Sequence, residues 1–173
     1  MELSVRKLET YTLADFQLMA KWNSDPAIMH FFTVNKTEDP LQPVSAESLM
    51  ESAVKNTDKS IYFILSDQTP IGEASITDKF PYLASKDDNV AWISLLIGEK
   101  AYLGQGLGRK TMELLENECR ALHYKKIELG VFRFNDRAHH LYQKMGYEEI
   151  EVNAAFTYHD GKWHDDIRMV KMI

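Results

Sequence analysis

Apolar and polar positions along this chain change their spacing several times, and each change marks an element. In "LSVRKLE", Leu3 and Val5 alternate with polar neighbours, the two-residue period of a short strand. Thr12 followed by Asp15 forms a capping-box pattern that starts a helix running through Trp22. "NSDPA" ends that helix, and residues 33–44, with Pro40 and Pro43 among polar neighbours, read as a mobile loop. Ser45 caps a second helix, whose Leu49, Ala53 and Val54 are expected to share a face. The period then drops to that of strands: "SIYFILS", the turn "SDQTP", "IGEASIT", the loop "PYLASKDDN" and "VAWISLLI". An antiparallel meander is the simplest reading.

Helical spacing returns at Met112, Leu115, Cys119 and Leu122, and "KKIELGVF" then alternates Ile127, Leu129 and Val131 as a strand. A strand, helix and strand in that order place the two strands parallel. Asn135 caps a short helix with Ala138, Leu141, Tyr142 and Met145 on one face, and Gly146 ends it. The last 27 or so residues read as two strands around the turn "HDGK". The expected fold is α/β (α+β): one domain over residues 1–173, with a mixed, mostly antiparallel central sheet flanked by helices.

Composition narrows the picture. A chain of 173 residues that is 45% hydrophobic can build one sizeable core. The apolar runs "IYFIL" and "WISLLI" fall far short of the roughly 18–20 residues of a membrane span, and "MELSVRKLET" does not have the layout of a signal peptide. A soluble, cytoplasmic protein is expected. Cys119, the single cysteine, forms no disulfide within the chain and sits among apolar helix positions, so burial is expected. The net charge of −6 argues against general binding to nucleic acid phosphates. It suits a cationic partner, and solubility alone explains it as readily. His159 and His164 lie loosely spaced about a turn, which is not metal-ligand spacing, so no metal is expected.

The segment "AYLGQGLGRKTMELLENECRA" carries the chemistry. Gly104, Gly106 and Gly108 precede a helix whose first N–H groups have no intrahelical partner. Bare main chain, a helix N-terminus and the nearby Arg109 and Lys110 make a site for a phosphate. The dinucleotide fingerprint fails because Arg109 stands where its third glycine belongs, and the Walker A pattern fails because Arg109 precedes Lys110 and Thr111. A glycine-rich turn packing a helix on a sheet leaves the same local pattern.

A second segment decides between these readings. "WISLLIGEKAYLGQGLGRKTMELL" followed by "IELGVFRFNDRAHHLYQKMGYEEI" resembles the GNAT family of N-acetyltransferases, in particular its branch acting on small molecules and ribosomal proteins. The first block is similar to the family's acyl-coenzyme A signature, Arg/Gln-x-x-Gly-x-Gly/Ala, with Gly106 and Gly108 in the glycine places. The second is similar to its Asn-x-x-Ala-x-x-x-Tyr segment, carried by Asn135, Ala138 and Tyr142. Leu103 departs from the pattern, standing where the family has Arg or Gln.

The resemblance implies splayed central parallel strands, acetyl-CoA as cosubstrate and transfer of its acetyl group to a primary amine of a small molecule or protein N-terminus by direct attack. It implies coenzyme contacts from Leu95, Leu96 and Ile97 of the central strand, from Leu103, Gly104, Gln105, Gly106, Leu107, Gly108 and Arg109 of the loop, and from Asn135 and Tyr142. Tyr142 is the expected general acid toward the leaving sulfur, and main-chain N–H groups near Leu96 the expected oxyanion donors. A serine such as Ser94 is too weak a base to deprotonate an ammonium, so Glu73 on the neighbouring strand, acting through water, is the expected general base. Asp25, Glu38, Asp39, Asp165 and Asp166 are the carboxylates offered to a cationic acceptor. A homodimer is common among similar proteins. The alternative is a non-catalytic acyl-CoA sensor with the same fold.

Overall fold

A computed structural model describes residues 2–173. The elements follow in the order β1 (Leu3–Lys7), α1 (Leu13–Asn23), α2 (Ala46–Lys55), β2 (Lys59–Ser66), β3 (Thr69–Thr77), β4 (Val90–Ile97), α3 (Leu107–Ala121), β5 (Lys126–Phe132), α4 (Asp136–Lys144), β6 (Glu148–His159) and β7 (Lys162–Met172). The strands form one seven-stranded sheet in the order β1-β2-β3-β4-β5-β7-β6, antiparallel except for the central β4–β5 pair. The expected mixed sheet, meander and parallel unit are all present.

Local chemistry sets the boundaries. Thr12 Oγ1 accepts from the Asp15 N–H while the Asp15 carboxylate accepts from the Thr12 N–H, the reciprocal cap that starts α1. The β2–β3 hairpin turns on Asp67 and Gln68, and β6–β7 on Asp160 and Gly161, each pair at positive φ as a two-residue turn between twisted strands requires. Trp22, at the end of α1, donates from Nε1 to Glu99 Oε1 at 2.8 Å and so fastens the helix beside the end of β4.

Each face of the sheet carries its own core. Ile64, Ile76, Ile93, Ile127, Leu129 and Ile167 pack against Met112, Leu115 and Cys119 of α3, and α4 lies against the same cluster. Phe63, Ile61 and Leu65 pack on the other face against Phe16, Met19 and Trp22 of α1 and against α2. A fully buried leucine or isoleucine contributes about 1.5–3 kcal/mol relative to exposure, so the two clusters hold the strands rigidly and the helix termini in place.

Two expectations need correction. Val54 does not share the buried face of α2: it is 59% exposed, whereas Ala46 and Ala53 are buried. At about 100° per residue Val54 stands roughly 140° around the helix from Leu49. Leu122 is also exposed, because α3 ends at Ala121 and the chain turns away at His123, which has φ +67°. The 33–44 segment is a loop, as expected, and it is anchored. Asn35 donates its N–H to Thr157 Oγ1 and accepts from the Tyr158 N–H, both at 2.9 Å, tying the segment to β6. Among the described residues no helix is long and apolar enough to cross a membrane.

Candidate active site

The parallel strands β4 and β5 pair over only three positions, Val90 with Lys126, Ala91 with Ile127 and Trp92 with Glu128. Beyond Trp92, β4 continues to Ile97 beside β3 and β5 continues to Phe132 beside β7, with no pairing between them among the described residues. The two strands diverge. A cavity of about 1380 Å³ opens at the divergence, lined by β4 from Trp92 to Ile97, the loop before α3, the start of α4 and aromatic side chains from several connections. A single small ligand needs roughly 300–1,000 Å³, so this cleft has room for two reactants.

One end is built from main chain. Gly104 and Gly106 have φ of +85° and +74°, the left-handed region that glycine enters without strain. Gly106 is the N-cap of α3 and no side chain caps that helix, which leaves its first N–H groups free beside the cleft. Gly108 is at ordinary φ, and a Cβ there would lie 3.3 Å from Leu141 Cδ2, so the missing side chain leaves room for the tip of that leucine. Leu103, Gly104, Gly106, Leu107, Gly108 and Arg109 all line the cleft. Gln105 does not. Its amide is turned back to donate to Ala101 O at 2.6 Å, closing the preceding turn.

Leu103 is 40% exposed at the rim and brings no polar group. Arg109 reaches the cleft, but its Nε also donates to Glu113 at 3.0 Å, one helical turn on. A second cation, Arg137 of α4, lines the same rim, with Nη2 placed 4.0 Å from where a Gly104 Cβ would be. Arg137 has no carboxylate partner among the described residues. Sequence reasoning passed over it because an arginine on a polar helix surface carries no local mark; only the contact between α4 and the loop gives it a role.

Asn135 performs its structural task, accepting from the Ala138 N–H at 3.3 Å to cap α4, and it also lines the cleft. Two turns later Tyr142 projects into the same space. Its hydroxyl has no hydrogen-bond partner among the described residues, and burial pushes its pKa up to about 12, so it stays protonated at neutral pH. The ring stands 5.9 Å from that of Tyr147. Tyr147 donates to Glu116 Oε1 at 3.2 Å, and Lys171 grips both oxygens of that carboxylate at 2.8 and 2.9 Å. This buried network joins α3, β7 and the segment after α4, and holds the surface on which Tyr142 rests.

Glu73 is on β3, half-buried on the face that carries α1, and does not line the cleft. It accepts a short hydrogen bond from Asn23 Nδ2. Burial pushes its carboxyl above the ordinary carboxylate range, and the Asn23 bond opposes that rise. Its register partner is Leu96, which does line the cleft. Ser94 lines it too and shares a 2.8 Å hydroxyl contact with Ser75 on the same face as Glu73. Glu73 and Ser94 are diagonal neighbours across β3 and β4, a Cα separation of roughly 7–8 Å that water can bridge.

The carboxylates offered to a cationic acceptor separate clearly. Asp25 is held by Lys100 at 2.8 Å and by the Ala27 N–H, which keep its carboxyl below the usual range, and it lies outside the cleft. Asp165 pairs with Arg133 at 3.1 Å, also outside, and Glu38 and Asp39 are exposed away from it. Asp166 alone of the five lines the cleft.

A cleft between diverging parallel strands, with a bare helix N-terminus at its mouth and an unpartnered tyrosine inside, is the architecture of an acyltransferase-type fold. Residues 9–147 match the acetyltransferase (GNAT) family, and the chain belongs to that family. A curated relative, the uncharacterised N-acetyltransferase YdgE of Bacillus subtilis, is 40% identical over 53 residues, which make up 31% of this chain and 34% of that protein. Among solved structures, the spermidine N-acetyltransferase of Vibrio cholerae, crystallised with CoA and spermine, superposes with a TM-score of 0.78 at 20% identity, covering 98% of this chain and 95% of that one. The ribosomal-protein-alanine N-acetyltransferase of Brucella melitensis gives 0.76 at 19%, covering 98% and 99%. These likenesses are likenesses of fold.

Proposed function

We propose that this chain transfers the acetyl group of acetyl-CoA to a primary amine by direct attack. The observation that carries the reading is the separation of β4 from β5 after Trp92, with free helix N–H groups and Tyr142 opening onto one cavity. The coenzyme's diphosphate sits on the N–H groups that follow Gly106, where the helix dipole favours an anion. Its amide-bearing arm runs along Leu95 to Ile97 and takes the strand position that β5 vacates, by the physics of β-strand addition. Leu103 contributes apolar contact only, and Arg137 and Arg109 supply the positive charge at the rim.

The acceptor arrives protonated and must lose a proton before its nitrogen can attack. Glu73 takes that proton through water beside Ser94; its raised pKa makes it a better-matched base than an ordinary surface carboxylate. As the nitrogen bonds to the carbonyl carbon, main-chain N–H groups of β4 near Leu96 receive the developing oxyanion. When the carbon–sulfur bond breaks, Tyr142 donates its proton to the departing sulfur, the nitrogen loses its second proton, which restores the Tyr142 hydroxyl, and the products are an acetamide and the free thiol.

The test is release of free thiol from acetyl-CoA over a panel of primary amines, with CoA binding followed by calorimetry. Thiol release with at least one amine is expected. Heat of CoA binding without release from any amine would return the chain to an acyl-CoA sensor.

A further inference from the structure

The acceptor end of the cleft carries a substrate preference in its lining. Its floor is the sheet face formed by Trp92 and Ser94 of β4, Gly130 and Phe132 of β5, and Asp166 and Arg168 of β7. Phe80 stacks on Trp92 with ring centroids 4.3 Å apart and 13° between planes. The Phe132 ring lies 5.7 Å from Phe134 and 6.5 Å from Phe156. All five rings line the cavity, so its acceptor half is mostly aromatic surface.

Charged side chains interrupt that surface: Lys36, whose Nζ lies 3.5 Å from the Phe156 ring centroid, Arg168, Glu151 and Asp166. Asp166 is only 3% exposed yet lines the cavity. Its two protein hydrogen bonds, from Arg168 Nε at 2.6 Å and Asn153 Nδ2 at 3.3 Å, both go to Oδ2. Oδ1 has no hydrogen-bond donor among the described residues. It packs down on Gly130: a Cβ there would lie 2.8 Å from Asp166 Oδ1, 3.1 Å from Trp92 Cη2 and 3.6 Å from Arg168 Nε, so the absence of a side chain lets the carboxylate and the indole edge settle onto the sheet side by side. Arg168, which lies over the Trp92 ring at 4.7 Å, does not make this end of the cavity cationic. Its guanidinium faces Asp166 and also Glu128, 3.8 Å away and 0% exposed, so the buried cluster keeps one formal negative charge.

Asp166 Oδ1 opens to the cavity with no protein donor on it, and a charge-assisted bond to a ligand there is of the strong kind. The geometry points to an acceptor that is a compact aralkylamine: a primary amine joined to an aromatic ring by a short linker, its ammonium received by Asp166 Oδ1 and its ring by the aromatic walls. Asp166 is thus a specificity-determining residue for the amine. A linear polyamine is the competing cation, since Glu151 offers a second carboxylate on the cavity wall. The lining opposes it, because five rings present more apolar surface than a thin chain covers.

This inference rests on the acetyl-transfer reading for its place in a reaction, and binding tests it separately. Calorimetry on the CoA-saturated protein at pH 7 compares 2-phenylethylamine, 2-phenylethanol, butylamine and spermidine. The arylamine is expected to bind at least about tenfold more tightly than each of the other three, the scale of one charge-assisted bond or one buried ring. Asp166→Asn should bring the arylamine and the alcohol to equal affinity. An alcohol that binds wild type as well as the amine does overturns the role of Asp166, and butylamine or spermidine binding as tightly overturns the aromatic preference. These ligand comparisons need no variant, so a poorly folded Asp166→Asn leaves the test intact. Thiol release on the same compounds distinguishes the two readings. Arylamine binding without release keeps this inference and fails acetyl transfer, whereas turnover of spermidine in preference to the arylamine keeps acetyl transfer and overturns this inference.

Discussion

The two ends of the cleft are made of different material. The end proposed for the coenzyme is main chain: glycines at positive φ, the uncapped start of α3 and the strand edge that β5 leaves free. The end proposed for the acceptor is side chain: aromatic rings around one buried carboxylate. Main-chain donors point at whatever shares the ligand's backbone-like groups and cannot be changed by substitution without changing the fold. Side chains can be exchanged one at a time while the sheet beneath them stays the same. On the proposed reading, a fold built this way keeps one cosubstrate and varies the other.

The largest expected effect lies where the ends meet. Tyr142→Phe removes only the hydroxyl, so affinity for CoA and for the amine should stay within about twofold while kcat falls between about 10² and 10⁴-fold, the range for loss of a general acid. Steady-state kinetics alongside calorimetry separates these quantities. A fall in coenzyme affinity equal to the fall in rate would move Tyr142 from chemistry to binding.

Gly106→Val attacks the main-chain end alone. A β-branched residue at φ +74° costs about 1–2 kcal/mol or more, and relief of that strain turns the loop's N–H groups away. Coenzyme affinity is expected to drop by about 30- to 100-fold and Tm by a few degrees. Arylamine binding to the coenzyme-free protein should be unchanged. If both ligands weaken together, the two ends are not independent and the comparison fails.

The same difference decides what the sequence discloses. The main-chain end is written in one continuous stretch, because a helix start and its glycines must be adjacent in the chain; residues 103–109 and the Asn135 to Tyr142 helix could be read directly. The acceptor end is assembled from Phe80, Trp92, Phe134, Phe156 and Asp166, which lie on separate connections and strands. Nothing local in "HDDIRM" distinguishes Asp166 from Asp165. The distinction is one of strand parity, since successive residues of β7 face opposite sides and only Asp166 turns toward Gly130. Gly108 shows the converse limit: it shares a motif with Gly106, but its missing side chain leaves room for Leu141, a residue 33 positions away that no local pattern indicates.

Glu73→Gln gives a smaller effect and separates a catalytic role from a structural one. A base must be ionised, so the wild-type rate should fall at acid pH through a pKa above the ordinary carboxylate range. The glutamine variant should lose about tenfold in kcat near neutrality and show no such acidic limb. Linkage gives a second readout. Because the folded pKa is raised, folding takes up a proton, and this contribution to stability is fully present below the unfolded carboxyl's pKa and is lost as pH rises through the folded one. Glu73→Gln removes that loss, so it should be stabilised relative to wild type above the window and not below it. Denaturant titrations at two pH values check the sign.

Arg137→Ala should produce the smallest change, and it sharpens the comparison because Arg137 is a side chain at the main-chain end. Its guanidinium is exposed and unpaired with any carboxylate among the described residues, so it acts on a phosphate through solvent and is screened by salt. Coenzyme affinity is expected to weaken about threefold to fivefold at low ionic strength, with the difference from wild type shrinking as salt approaches 0.5 M or so. Amine affinity should not move. A loss that persists at high salt would mean that Arg137 forms a close, fixed contact with the ligand, and the coenzyme end would then depend on side chains as the acceptor end does.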